Sequence, residues 1–196
     1  MVLASGLYRL DGIVFCMPDS NVKLVILSAA AQVVQSAGAG HLTIDAVAKQ
    51  AALSKGGVLY HFPNKRALLE GMLADLMDRM EVRHAQHRDT LAGSNLVLRS
   101  FILSEQDLSE EEHAMSLAIL AAAAEDPTLL APARQRIELW LQEIAENSDD
   151  QLLSLTLFLA MEGMRFLDML SILPLSEQLR SDLSRKMLEL AQGPSK

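Results

Sequence analysis

The sequence predicts an all-α fold. Half of the 196 residues are hydrophobic but only 4% are aromatic, and a chain rich in Leu, Ala and Met favours helices over sheets. In successive segments the apolar residues recur at the period of an amphipathic helix. Gly, Pro and capping residues divide this pattern into eight or nine helices.

The most informative segment covers residues 43–65 and reads TIDAVAKQAALSKGGVLYHFPNK. From Ile44 the apolar residues recur at i, i+3, i+4 and i+7, which predicts one short helix, and a second follows three residues later. Small Ala48 lies where two steeply crossing helices would bring their backbones together, and Val58 is placed to fill the space between them. This is the layout of a helix-turn-helix, whose second helix enters the major groove of DNA.

Capping and breaking residues place the remaining boundaries. The first helix is expected over about 22–37, Thr43 and Ser54 are expected to cap the second and third helices, and Asn64 a long fourth helix. Ser109 with a Glu three residues later forms a capping box. The other predicted helices cover about 96–103, 109–126, 129–146, 152–170 and 176–191.

Residues 22–73 resemble the N-terminal domain of TetR-family transcriptional regulators. The motifs that carry the resemblance are Thr-x-x-x-Val-Ala from Thr43, Ser-Lys-Gly at 54–56 and YHFPNKRALL at 60–69. The resemblance implies a helix-turn-helix DNA-binding domain at 21–66. It also implies a C-terminal helical bundle at 67–196 for effector binding and dimerisation.

One position departs from the family pattern. Residue 52, in the turn of the helix-turn-helix, is Ala where the family usually has Gly. We predict a left-handed backbone there, which costs a non-Gly residue roughly 1 kcal/mol.

The candidate DNA-binding residues lie in the third helix and at the starts of the second and fourth helices. They are Thr43, Ser54, Lys55, Gly56, Gly57, Tyr60, His61 and Lys65. Lys55 is the candidate for a base-edge or phosphate contact, while Thr43 and Lys65 resemble the family's phosphate clamps. The resemblance places phosphate-binding groups at Tyr60 and His61, although either ring could instead pack against the first helix. The two glycines leave bare backbone for close approach, or they merely loosen the helix start.

The charge distribution agrees with a DNA-binding N-terminal part. From Met17 to Arg66 five basic residues face two acidic ones, a net charge of +3, whereas 67–196 carries −11. The net-positive field therefore falls on the helix-turn-helix.

The C-terminal helices supply candidates for an effector pocket, either as its lining or as ordinary core and interface. They are Met115, Leu120, Trp140, Phe158, Met161, Glu162, Arg165 and Phe166. Methionine adapts to irregular shapes and suits an apolar pocket. Glu162, Arg165 and Asp168 follow a spacing that lets neighbours pair.

Other classes of function are disfavoured by the sequence. No catalytic or nucleotide-binding motif suggests an enzyme, and we expect no cofactor and no metal. The single cysteine allows no intrachain disulfide and suits the cytoplasm. No apolar run is long enough to span a membrane, and we expect residues 1–20 to be a disordered N-terminal extension.

These observations predict a cytoplasmic, homodimeric repressor that a small hydrophobic ligand releases from a palindromic DNA operator. The apolar helix at 152–170 and the amphipathic helix at 176–191 are the expected pairing elements. The alternative is a TetR-like helical regulator that acts through protein or ligand binding with weak or no DNA binding.

Overall fold

The computed structural model describes residues 7–10, 13–16, 19–104 and 108–192, in which the elements of secondary structure are helices and one short hairpin. The helices are α1 (Asp19–Ala37), α2 (Ile44–Gln50), α3 (Lys55–His61), α4 (Lys65–Thr90), α5 (Leu96–Ser104), α6 (Glu110–Ala123), α7 (Ala131–Glu146), α8 (Gln151–Met169) and α9 (Glu177–Gln192). Short 3-10 helices at Ala39–His41 and Pro127–Leu130 precede α2 and α7. The all-α prediction is confirmed.

Of the N-terminal extension predicted to be disordered over residues 1–20, residues 1–6, 11–12 and 17–18 lie outside the described residues. Strands β1 (Leu7–Leu10) and β2 (Ile13–Cys16) pair antiparallel, and α1 begins at Asp19. The sequence between the strands is Asp-Gly, flanked by β-branched and aromatic residues. That combination is a strong local hairpin signal, and it competes with disorder.

The predicted caps set the starts of the helices. The side chain of Thr43 accepts the N–H of Ala46 at 3.1 Å, and that of Ser54 accepts the N–H of Gly57 at 3.0 Å. Asn64 begins α4 in the same way, at 2.8 Å from its acceptor oxygen to the nitrogen of Ala67. These bonds satisfy N–H groups that have no partner inside the helix.

The capping box before α6 is also present. Glu112 accepts the backbone N–H of Ser109 at 2.9 Å, and the hydroxyl of Ser109 accepts the N–H of Glu112 at 3.2 Å. The prediction from their spacing is confirmed, since both halves of the reciprocal motif form.

The chain folds into two compact units that interleave along the sequence. The first comprises Met1–Leu76 and Ser109–Leu130, and the second comprises Met77–Leu108 and Ala131–Lys196. In the first unit α1 packs against α2 and α6. In the second, α5 packs against α8 and α9, and α7 packs against α8. The sequence predicts a single domain boundary, between residues 66 and 67. In the structure α6 belongs instead to the same unit as the N-terminal helices, because it packs against α1.

No helix among the described residues is long and apolar enough to cross a membrane.

Candidate DNA-binding interface

Helices α2 and α3 form the two arms of the helix-turn-helix. Val58 is completely buried and Ala48 nearly so. The N–H of Leu53 bonds the carbonyl oxygen of Ala48 at 2.9 Å, which closes the end of α2. The small residue and the plug predicted from the sequence are therefore both in the core of this motif.

The turn between these helices contains the predicted left-handed residue. Ala52 has φ of +54°, a region in which its Cβ costs about 1 kcal/mol relative to Gly. The prediction from the departure at position 52 is confirmed. The motif keeps its form because the surrounding hydrogen bonds and the buried Val58 outweigh a penalty of this size.

Helix α3 has one edge in solvent and one in the core. Lys55, Gly56 and Tyr60 are exposed, whereas Gly57 and Val58 are buried. The side chain of Tyr60 is 74% exposed and therefore does not pack into the unit. Its ring stands edge-on to that of His61, with centroids 5.0 Å apart and planes at 87°.

The two glycines of α3 have different surroundings. Gly57 is buried, and its N–H already bonds the cap Ser54. Gly56 faces open space, where an added Cβ would meet nothing closer than the Oγ of Ser54 at 4.0 Å. Of the pair, only Gly56 offers the bare, accessible backbone proposed for a close approach to DNA.

The charge at the start of α3 is partly paired. The Nζ of Lys55 lies 3.0 Å from Oδ2 of Asp45 on α2, and both side chains are more than half exposed. Sequence reasoning did not single out Asp45, because a pair ten residues apart across a turn leaves no local signal. An exposed pair of this kind contributes little stability and can exchange partners with DNA.

Lys65 and Thr43 are exposed at the first residue of α4 and at the cap of α2. Both belong to the same compact unit as α3. The polar groups predicted to hold phosphate are thus on its surface, and their roles remain predictions.

Arg66 contributes less free charge than the sequence count implies. Its guanidinium bonds Glu70 at 2.8 Å, Thr128 at 3.1 Å and the carboxylate of Asp126. The hydrogen bond to Glu70, followed by the charge of Asp126, raises the pKa of Arg66. A hydrogen bond from Thr128 lowers the pKa of Asp126. Two carboxylates therefore offset this cation beside Lys65.

In the second unit three of the predicted effector-pocket residues are buried, namely Trp140, Phe158 and Met161. Trp140 and Phe158 each contact Phe101, with ring centroids 5.1 and 5.4 Å apart. The indole N–H of Trp140 bonds Glu81 at 3.1 Å. These rings form an aromatic cluster in the core of the unit.

His84 is a member of this cluster that sequence reasoning did not assign to a site. Its ring centroid lies 3.7 Å from that of Phe101 and 5.4 Å from that of Trp140. The available signal was its position on α4, four residues after the buried Met80. Burial is the main cause that lowers the pKa of His84 to about 3.

The other predicted pocket residues are not brought together with these three. Met115 and Leu120 lie on α6 in the first unit. Phe166 is 45% exposed on α8, because it projects from the side of the helix that the second unit leaves uncovered.

The predicted polar stripe on α8 forms its ion pairs in two directions. Arg165 bonds Glu162 with its Nε 3.0 Å from the carboxylate, while Asp168 pairs with Arg180 on α9. No group of three His, Cys, Asp or Glu among the described residues could hold a metal ion.

Helices α8 and α9 expose a set of large apolar side chains. They are Leu152, Leu159, Phe166, Leu167, Leu179, Leu183 and Leu190. An amphipathic or apolar helix that leaves such residues in water is typical of a protein–protein interface.

A helix-turn-helix whose second helix has one exposed edge, followed in the chain by further helices, is typical of the class of DNA-binding transcriptional regulators. Residues 26–72 match the family described as bacterial regulatory proteins, tetR family. Residues 95–192, half of the chain, match the tetracyclin repressor-like C-terminal domain. The chain belongs to the TetR family, and its resemblance to that family is confirmed.

Individual relatives share the family with limited identity. The chain is similar to the nucleoid occlusion factor SlmA of Vibrio atlanticus (strain LGP32), with 34% identity over 89 residues, which is 43% of this chain. The match spans 45% of that relative, less than half of its length.

Two crystal structures have the same fold. One is a Rhodococcus sp. protein assigned to the TetR-family transcriptional regulators, with a TM-score of 0.69, 23% identity and coverage of 88% of this chain and 100% of the other. The second is the multidrug binding protein EbrR complexed with ethidium, with a TM-score of 0.62, 18% identity and coverage of 87% and 99%.

Proposed function

We propose that this protein is a cytoplasmic repressor that binds a palindromic operator as a homodimer and is released by a small hydrophobic effector. The observation that carries the proposal is the outward edge of α3. Lys55, Gly56 and Tyr60 are exposed there on a helix whose opposite side is anchored by the buried Val58. Such an edge can enter the major groove while its support stays rigid.

The apolar surface of α8 and α9 supports pairing of two copies. Leu159 alone is 63% exposed, and six other large apolar residues on these helices are exposed with it. A twofold pairing would remove this surface from water and would present two copies of α3 to the two halves of a palindrome.

The buried aromatic cluster supports an apolar effector. Trp140, Phe158 and Met161 offer the rings and the adaptable side chain that an apolar ligand requires. The structurally similar EbrR is named a multidrug binding protein and was crystallised with ethidium. The same fold therefore holds a small aromatic molecule in that protein.

DNA binding can be tested by fluorescence anisotropy on the DNA upstream of the protein's own gene and on a scrambled duplex. Lys65→Ala should weaken binding to both duplexes equally and lower the salt slope by about one. Lys55→Ala should cost about 1–3 kcal/mol more on the matched duplex if Lys55 reads a base edge. Arg134→Ala, which removes an exposed cation from α7, is the matched control and should change neither affinity.

The outcomes separate the two candidate functions. Binding that disappears on addition of an apolar compound supports a ligand-released repressor. Equal losses from Lys55→Ala and Lys65→Ala on both duplexes would refute the assignment of base reading to Lys55. If the protein binds neither duplex even at low salt, the result would favour the regulator that acts through protein or ligand binding.

A further inference from the structure

The aromatic cluster of the second unit contains a polar atom that nothing in the unit satisfies. His84 is only 4% exposed, and its Nδ1 has no hydrogen-bond partner among the described residues. The neighbouring rings of Phe101 and Trp140 cannot supply one, because Phe has no polar atom and the indole N–H of Trp140 already bonds Glu81.

Buried hydroxyl groups in the same unit do find partners, whereas Oδ1 of Asn95 and Nε of Arg99 also lack one among the described residues. The hydroxyl of Ser100 donates to the carbonyl oxygen of Val97 at 2.7 Å, and the hydroxyl of Ser104 donates to the carbonyl oxygen of Phe101 at 2.9 Å. An unmet buried donor or acceptor costs about 1–3 kcal/mol, and such groups are rare in folded proteins. Asn95 and Arg99 each satisfy another of their polar atoms through a backbone carbonyl, whereas Nδ1 of His84 lies among aromatic rings, where a group from outside could bond it.

Protonation of His84 does not remove the need for a hydrogen-bond partner. Burial, together with the positive charges of Arg83 and Arg88, lowers the pKa of His84 to about 3. The imidazole is therefore neutral near pH 7, with one nitrogen as donor and the other as acceptor. Arg165 adds a further positive charge that acts on the ring. This environment disfavours a cationic ligand.

We propose that the effector is an uncharged aromatic molecule with a hydroxyl group, which hydrogen-bonds Nδ1 of His84 while its ring packs against Phe101, Trp140 and Phe158. A hydroxyl both donates and accepts, so it satisfies either neutral form of the imidazole. The surrounding rings favour edge and offset contacts with an aromatic ligand. This inference rests on the proposed function in one respect, the presence of an effector site in this unit.

The decisive measurement compares ligands that differ only in the hydroxyl. Calorimetric titrations of the full chain would use phenol against benzene and 1-naphthol against naphthalene. A new hydrogen bond to a buried, unmet nitrogen should make one hydroxylated member bind at least about tenfold more tightly than its partner. His84→Phe keeps an aromatic ring of similar size and should abolish this preference while the hydrocarbon still binds.

Nitrogen NMR of the histidine rings tests the contact directly and needs no variant. Addition of 1-naphthol should shift the Nδ1 resonance of His84, and naphthalene should leave it nearly in place. Equal affinities within both ligand pairs, an unshifted Nδ1 resonance, or absence of binding by all four compounds would each overturn the proposal. A buried water as the true partner of Nδ1 would give the first of these results.

Failure of this inference can be told apart from failure of the proposed function. Operator binding is measured without any ligand, so its result tests DNA binding by α3 and does not depend on the effector. A protein that binds its operator and is released by a cationic or purely hydrocarbon compound would retain the repressor function and lose the hydroxyl assignment. A protein that prefers the hydroxylated ligands but binds no duplex would do the reverse.

Discussion

Side chains cap helix starts in both compact units, but the second unit also contains a buried ring nitrogen without a described partner and a row of exposed apolar side chains. Thr43, Ser54 and Asn64 each accept a backbone N–H at the start of a helix. In the second unit Nδ1 of His84 is buried without a partner among the described residues, and Leu159 stands in water on α8. The helix starts around the helix-turn-helix are therefore completed by side chains of the first unit itself. The second has surfaces and atoms that a second copy or a ligand would complete.

The largest expected effect is on pairing through α8. In Leu159→Asp a charge would replace an apolar side chain that the proposed pairing of two copies would bury. Burying an unpaired carboxylate is strongly unfavourable, so we expect the dissociation constant of the dimer to rise by at least about 100-fold. Sedimentation equilibrium on the purified protein measures this change.

The matched control lies on α7 of the same unit. Leu139 is 61% exposed, close to the 63% of Leu159, so Leu139→Asp makes the same chemical change at equal exposure. It should leave the dimer intact. Equal dissociation by both variants, or by neither, would refute the assignment of pairing to α8 and α9.

The buried imidazole of His84 predicts a pH dependence of stability in the second unit. The folded pKa is about 3 and the unfolded value is about 6.5, so the unfolded state binds more protons between these limits. Stability is thus lost as the pH falls from 6.5 towards 3, by about 1.4 kcal/mol per pH unit. His84→Phe removes this dependence. Between pH 6.5 and 4.5 the free energy of unfolding of the wild type should fall by about 2 kcal/mol relative to the variant.

Urea denaturation of both proteins at several pH values checks this prediction. Above pH 7 the imidazole is neutral in both states, and the stabilities of wild type and variant should run in parallel there. Parallel curves below pH 6.5 as well would mean that His84 does not stay neutral in the folded protein.

The tight packing of the first unit predicts a smaller effect at Gly71. A Cβ at this position of α4 would lie 2.5 Å from Cε1 of Phe62, a residue in the core after α3. Overpacking of a core costs about 1–3 kcal/mol, less the gain of about 0.5–1 kcal/mol from Ala in a helix. We expect Gly71→Ala to lower the free energy of unfolding by about 1–2 kcal/mol, measured by urea denaturation.

Gly56→Ala makes the same substitution in α3 at a glycine that has room for a Cβ. Its Cβ meets no atom closer than 4.0 Å, so stability should be unchanged or slightly higher. Affinity for the operator should nevertheless fall, because the methyl group would stand between the backbone and DNA. Unchanged affinity would show that this glycine is present for helix geometry and not for close approach.

The sequence predicts the elements whose causes are local. Helix α3, Lys55–His61, begins where the sequence predicts because Ser54 caps its first turn, and Pro63 shortly after its end cannot continue a helix. The left-handed turn at Ala52 was predictable for the same reason, since a single position in a known motif determines it.

Features that depend on distant residues were not predictable in this way. The unpartnered nitrogen of His84 follows from the rings that two other helices, α5 and α7, place beside it. The pairing of Lys55 with Asp45 follows from the geometry of the turn. The exposure of Phe166 also could not be predicted, because α8 is apolar almost all round. Its sequence does not show which apolar side chains face the core and which remain exposed.

The smallest expected effect concerns the strain at the turn of the helix-turn-helix. Ala52→Gly removes the Cβ from a residue at φ of +54°, which should recover roughly 1 kcal/mol. Glycine also adds freedom to the unfolded chain, and this offsets part of the gain. We expect the free energy of unfolding to rise by about 0.5 kcal/mol or less, as measured by urea denaturation.

Ala51→Gly is the neighbouring control, because Ala51 has φ of −76° at the end of α2 and gains nothing from the loss of Cβ. It should destabilise the protein by about 0.5–1 kcal/mol. The two adjacent substitutions should thus change the free energy of unfolding in opposite directions only if backbone strain is present and confined to position 52. A destabilising Ala52→Gly would show that the unit tolerates the left-handed alanine without cost, so the first unit would store no strain at its DNA-reading turn.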